Sequence, residues 1–243
     1  MCPSPFGISP FWTDLVHTGV TPAQAAVTTD AVTTAYHAVK TTGNVKPTET
    51  ILIFGLGGLG FNALQIVLAI GARVIVTDKR EEVLAEAIKF GVPKEDVIPI
   101  GVNAVEFVQE RGLVVDIVID FVGVNETFTA SQELGKQIQH WLHCFGIGLL
   151  TRCTVRPAGR LVQVGLLGAE LTINNILCIR KRLSILFSYG GKMEDLEDGL
   201  DLVHKGALHP QVETGDLDDF PEVLERLHHG MIKSRIALIP KHD

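Results

Sequence analysis

From Thr50 onward, short apolar runs alternate with stretches of helical period, the rhythm of a parallel sheet joined by crossover helices. Residues 51–54 read as a buried strand. Leu59, Ala63, Ile66 and Ile70 then recur at helical spacing and give the following helix one apolar face. A second strand covers 73–77, and a helix over 81–90 stops at Gly91, with Pro93 just beyond. The pattern continues with a short strand at 97–100, a helix at 104–111 and an apolar strand at 114–122, interrupted only by Asp116 and Asp120. Two more strands are predicted at 160–166 and 182–188, helices at 194–204 and 220–229 ahead of Gly206 and Gly230, and a closing strand at 236–239. The fold class is therefore α/β, a doubly wound parallel sheet with helices on both faces.

Gly55, Gly57 and Gly60 spell G-x-G-x-x-G directly after the first strand and at the opening of the helix, with Gly58 completing the turn. Gly55 permits the tight turn, Gly57 lets the backbone approach a pyrophosphate, and Gly60 lets the helix pack closely on the strand. The pyrophosphate would rest on the helix N-terminus, where unpaired N–H groups favour an anion. The second strand leads into Asp78, an acid suited to accept hydrogen bonds from the ribose hydroxyls of NAD and to repel a 2′-phosphate. Lys79 and Arg80 beside it keep NADP open. Strand, turn, helix, strand and acid in that order define a Rossmann dinucleotide-binding unit.

A chain of 243 residues holds one large domain, or one domain and a fragment of another. Its net charge of −7 argues against a nucleic-acid or membrane surface, which wants a basic face. Cys2, Cys144, Cys153 and Cys178 show no paired framework, which points to a reducing compartment. The first residues carry no basic segment followed by an apolar run, and no stretch reaches the roughly 18 to 20 apolar residues of a spanning helix. The expectation is a cytoplasmic protein without membrane or nucleic-acid partners.

Beyond the glycine turn, the runs 25–38, with Thr34, Tyr36 and His37, and 45–50 carry a family likeness. So do Asp120 to Gly123, the run 156–160, Val164 to Leu166 and Ser234 to Ile236. On these residues the chain resembles the medium-chain dehydrogenase/reductase family, the zinc-type alcohol dehydrogenases and their relatives. The resemblance implies that Thr34 lies beside the nicotinamide and that Phe121 and Val122 line the cofactor groove. It also implies that Val164, Gly165 and Leu166 hold the carboxamide; ordinary strand-end or helix packing is the alternative for each. Asp30 falls where zinc-dependent members place a cysteine ligand. It is either an oxygen ligand to zinc or a helix-capping or surface acid.

The family's first zinc cysteine, its Gly-His-Glu motif and its four-cysteine lobe are not found. The resemblance then divides the chain into a catalytic-domain remnant at 1–44, a Rossmann domain at 45–213 and a second remnant at 214–243. Catalytic zinc needs about three protein ligands and an open position, which one aspartate does not supply. Zinc is accordingly assigned to complete homologues.

Two stretches break the rhythm. Residues 1–18 hold Pro3, Pro5 and Pro10 without periodicity, and 135–154 fall where a helix should pass directly into the strand at Arg160. Joining Leu134 to Val155 restores that passage, and the codons open to both junctions admit splice sites, so the block reads as a translated retained intron. Its His140, His143, Cys144 and Cys153 match no standard zinc spacing. Elsewhere, His37 reads as a surface residue or one near the cofactor, His228 and His229 suit a helix C-terminus, and Cys178 reads as core.

The expected function is NAD-dependent interconversion of an alcohol with an aldehyde or ketone, by hydride transfer at the nicotinamide. The substrate would be a small alcohol or carbonyl compound, and a homo-oligomer is compatible with the reading. The alternative is a catalytically inactive, nucleotide-binding remnant of such an enzyme.

Overall fold

The computed structural model describes residues 19–134, 159–232 and 234–240. The expectations for 1–18 and for the insertion, including His140, His143, Cys144 and Cys153, lie outside them. The central sheet has five parallel strands: β1 (Thr50–Phe54), β2 (Arg73–Thr77), β3 (Ile117–Asp120), β4 (Arg160–Gln163) and β5 (Ser184–Phe187). Their spatial order is β2-β1-β3-β4-β5. The chain steps from β1 to one side and then returns to the other, which makes a topological switch point between β1 and β3. Ile51 is in register with Val74 on one side and Ile117 on the other.

Both faces of the sheet are covered, which explains why β1 and β3 read as near-continuous apolar runs. Alternate residues feed two cores. Ile51, Ile53, Val74, Val76, Ile117 and Ile119 join one, while Leu52, Phe54, Ile75, Val118 and Leu161 join the other.

Helices α1 (Pro22–Val27) and α2 (Thr33–Tyr36) belong to one helical stretch, joined by the wider π turn Thr28–Val32 and extended by another, His37–Thr42. Helix α3 (Gly60–Ile70) follows β1, is buried nearly all round and ends on left-handed Gly71. Helix α4 (Glu81–Lys89) carries Glu81 and Glu82 in its first turn and Lys89 in its last, matching the helix dipole. Helix α5 (Ala104–Glu110) is capped by the Asn103 side chain, which accepts from the Val105 and Glu106 amides. The remaining helices are α6 (Asn125–Leu134), α7 (Asn175–Lys181), α8 (Met193–His204) and α9 (Phe220–His228). Strands β6 (Val212–Asp216) and β7 (Arg235–Ile239) pair in parallel as a second, small sheet, and α1 packs against both. No helix among the described residues is long and apolar enough to cross a membrane.

Several sequence expectations need correction. No strand forms at 97–100: Val97 makes an isolated bridge to Val76, Ile98 donates to the Val76 carbonyl, and Pro99 has no N–H to continue. The strand expected at 114–122 is Ile117–Asp120, and the two acids that interrupted its pattern mark its ends. Asp116 accepts the Thr50 amide below it, and Asp120 turns back to accept the Val122 and Gly123 amides above it. The strand expected at 160–166 stops at Gln163, because Val164 and Gly165 both donate to the Asp120 carbonyl. The strand expected at 182–188 begins at Ser184, since Arg182 adopts φ 51° and ends α7. Cys178 is not core: it is half-buried on α7, a helix with no fully buried residue.

Candidate dinucleotide site

Gly55 leaves β1 with φ +83°, the left-handed region that favours glycine. Its amide donates to the Thr77 carbonyl at 2.9 Å, tying the turn to the end of β2. A side-chain carbon at Gly60 would lie 1.8 Å from the Gly55 carbonyl oxygen, so α3 begins in contact with the turn. Gly57 is different: a carbon placed there meets no atom within 4 Å, leaving its backbone open to an approaching group. The three glycines therefore stand in three different settings.

Asp78 follows β2 directly and is joined to the turn. Its Oδ2 accepts the Leu56 amide at 2.7 Å, and its Oδ1 accepts the Arg80 amide at 3.0 Å. The Arg80 guanidinium adds Nε to Oδ1 at 3.0 Å and Nη2 to Oδ2 at 3.2 Å. Burial acts to raise the Asp78 carboxyl, but the Arg80 guanidinium and the two amides outweigh it and hold it below the usual carboxylate range.

The ends of β3 and β4 close the other side. A carbon on Gly55 would lie 2.7 Å from Val122 Cγ2, and one on Gly60 would lie 3.4 Å from Phe121 Cδ2. Phe121 donates its amide to the Phe54 carbonyl at 3.0 Å. Asp120 is fully buried, and that burial pushes its carboxyl up despite bonds from Thr127, Gly123 and Val122. Val164 is buried at the end of β4, Gly165 lies against Val122 and Gly123, and Leu166 is 77% exposed at the rim. Thr34 is buried on α2, which packs against α3 and α8. The turn, Asp78, Phe121, Val122 and Gly165 are thus gathered at the carboxyl ends of β1 to β4, on the switch point where α/β sheets bind ligands.

Asp30 is a surface acid. Its Oδ2 accepts from Arg235 Nη2 at 3.1 Å, across 205 positions of sequence. Among the described residues no group of three His, Cys, Asp or Glu is placed to hold a metal ion. The described residues therefore do not fit a catalytic zinc. Arg235 is the residue that sequence reasoning left without a role. A carbon on Gly58 would lie 2.4 Å from Arg235 Nη1, so the guanidinium stands directly over the glycine turn. The Ser-Arg-Ile run at the closing strand was its only signal.

His37 does not sit on the open surface. It is half-buried, with Nδ1 2.6 Å from Asp195 Oδ2 on α8. His229 Nδ1 lies 2.8 Å from the Glu225 carbonyl at the end of α9, as its position at a helix C-terminus suggested.

A doubly wound sheet with a glycine turn at its switch point and an acid after β2 is a dinucleotide-binding architecture. Residues 58–137 match the zinc-binding dehydrogenase family. An alcohol dehydrogenase of Geobacillus stearothermophilus is 29% identical over 222 residues, covering 91% of this chain and 59% of the relative. Acetophenone reductase from Geotrichum candidum, solved in complex with NAD, is 36% identical with a TM-score of 0.71, over 90% of this chain and 56% of that one. The alcohol dehydrogenase of Aeropyrum pernix is 32% identical with a TM-score of 0.71, over 87% and 56%. The chain belongs to the medium-chain dehydrogenase/reductase family, zinc-type alcohol dehydrogenase-like, with the likeness centred on its Rossmann half. It spans a little over half the length of the relatives it matches.

Proposed function

We propose that the chain binds NAD(H) and forms the cofactor half of an oxidoreductase for a small alcohol or carbonyl compound. The observation that carries this is the Leu56 amide bonded to Asp78, which sets the ribose acid against the glycine turn. The pyrophosphate would lie on the open backbone at Gly57, against the N-terminus of α3, with Arg235 supplying a cation over Gly58. The adenosine ribose would meet Asp78. The nicotinamide end would run toward Val122, Val164, Gly165 and Leu166, with Thr34 beside it. When bound, nicotinamide supplies the hydride chemistry, while the protein binds and orients it. The packing of α1 on β6 and β7 supports reading 1–44 and 214–243 as parts of one catalytic domain flanking 45–213.

The test is NADH titration of the purified 243-residue chain, followed by an assay of alcohol-dependent NAD reduction. Binding with turnover supports an enzyme. Binding without turnover assigns the chain to the nucleotide-binding reading instead, and absence of binding removes both.

A further inference from the structure

We infer that Asp120 and Gln163 are positioning residues that hold the loops after β3 and β4 in place for the nicotinamide half of the cofactor. The inference rests on the cofactor reading above and names what supports one end of that site. The two residues are in register at the last positions of their strands, and both are buried, at 0% and 4% exposed. Asp120 serves both loops. Its Oδ1 accepts the Val122 amide at 2.8 Å and the Gly123 amide at 3.0 Å, while Thr127 Oγ1 donates to its Oδ2 at 2.7 Å. Its carbonyl accepts the Val164 and Gly165 amides, both at 2.9 Å. Gln163 Nε2 donates to the Gly165 carbonyl at 3.0 Å, and the same side chain bonds to the Asp120 carboxylate. Beyond this pair the loops are joined directly. The Leu167 amide donates to the Val122 carbonyl at 3.3 Å, and the Gly168 amide to the Gly123 carbonyl at 2.7 Å.

Packing alone explains neither side chain. Leu161, two residues before Gln163 on the same face of the strand, joins an apolar core. Gln163 instead keeps its Oε1 buried with no hydrogen-bond partner among the described residues, a cost that an aliphatic side chain would not carry. Asp120 likewise places an acid where burial opposes its charge. Both costs fall on groups that fix backbone at the carboxyl ends of β3 and β4. The glycine turn and Asp78 serve the pyrophosphate and the adenosine ribose at the ends of β1 and β2. The part of the dinucleotide that crosses the switch point to the other two strands is the nicotinamide with its ribose. Asp120 and Gln163 therefore act on one half of the cofactor.

The experiment compares dissociation constants for NADH and for ADP-ribose, which lacks the nicotinamide. The proteins are the 243-residue chain, Gln163→Leu, Asp120→Asn and Asp120→Ala, with thermal melting as the folding control. Gln163→Leu removes the unpartnered oxygen together with the hold on Gly165, so it should melt within a few degrees of the unaltered chain. It should lose NADH affinity by about fivefold, with ADP-ribose unchanged to within about twofold. Asp120→Ala should lose NADH affinity by at least about tenfold. Asp120→Asn keeps an oxygen for the Val122 and Gly123 amides and should recover most of that loss. A general loosening of the fold would weaken both ligands alike. Equal losses of NADH and ADP-ribose in a folded Gln163→Leu, or no loss of either, overturn the inference and leave the cofactor reading standing. A Gln163→Leu that fails to fold overturns it too, since the residue is then a support of the core. If Asp120→Ala fails to fold, Gln163→Leu decides alone. If neither ligand binds the unaltered chain, the cofactor reading falls and this inference with it.

Discussion

Gly123 and Gly165 meet backbone to backbone: a side-chain carbon on Gly123 would lie 2.0 Å from the Gly165 carbonyl oxygen. The converse also holds, since a carbon on Gly165 would lie 2.2 Å from the Val122 carbonyl carbon. The loops after β3 and β4 close on each other only because neither residue has a side chain. Gly123 also holds φ +74°, so a substitution there is strained by conformation as well as by space. Gly165 has no such conformational demand, and Gly165→Ala tests the contact alone. It should cost about 3 kcal/mol in urea unfolding, because backbone cannot move aside as a flexible side chain can. A loss within about 0.5 kcal/mol would show that the two loops part freely.

The two ends of the glycine turn separate folding from binding. At Gly60 an added carbon would lie 1.8 Å from backbone oxygen, whereas at Gly57 it would meet open space. Gly60→Ala should destabilise the chain by about 3 kcal/mol, since α3 would be levered off β1. Gly57→Ala should melt within a few degrees of the unaltered chain and lose NADH affinity by at least about tenfold, because the methyl group occupies the pyrophosphate's path. Equal NADH affinity in Gly57→Ala would move the pyrophosphate elsewhere.

Asp195 gives a pH dependence with a definite sign. It is buried, and accepts from Thr41 Oγ1 at 2.6 Å and the Lys192 amide at 2.7 Å, with His37 Nδ1 2.6 Å away. Burial acts to raise its carboxyl, but these three partners outweigh burial and hold it below the ordinary value. A depressed carboxyl contributes stability that is fully present above the unfolded pKa, near 4, and is lost as pH falls through the folded value. Asp195→Asn should therefore melt below the unaltered chain at about pH 6, with the gap closing toward about pH 3. A gap that stays constant over that range would remove Asp195 from the acid sensitivity.

What was legible in the chain was what is local and periodic. Strands β1 and β2, helix α3 and the glycine turn fall where their patterns put them, because two-sided burial leaves an uninterrupted apolar run. Helix α7 was not legible. Its Ile176 and Ile179 are exposed, so no apolar face marks a helical period. Strand β6, Val-Glu-Thr-Gly-Asp, is polar and half exposed, and carries no strand signal of its own. Asp78 was visible from its place after the second strand, but its capture by Arg80 is a tertiary arrangement that adjacency only hinted at. Arg235 over Gly58 was beyond reach for a simpler reason: the two lie far apart in the sequence.

That long-range placement also decides how Asp30 should behave. The family resemblance offered this acid as a possible zinc ligand, yet its carboxylate accepts from Arg235 at 3.1 Å, with 66% of the side chain exposed. A cation in contact with a carboxylate competes with a metal for the same oxygens, and one such ligand falls short of the roughly three that catalytic zinc requires. The two residues should then separate in experiment. Arg235→Ala should weaken NADH binding by about tenfold, through loss of a charge-assisted contact to the pyrophosphate. Asp30→Ala should shift it by less than about fivefold, since an exposed ion pair contributes little. Metal analysis of the dialysed chain should find well below one zinc per molecule, unchanged in Asp30→Ala. About one tightly held zinc that disappears with Asp30→Ala would make Asp30 a ligand after all, and Arg235 a bystander to it.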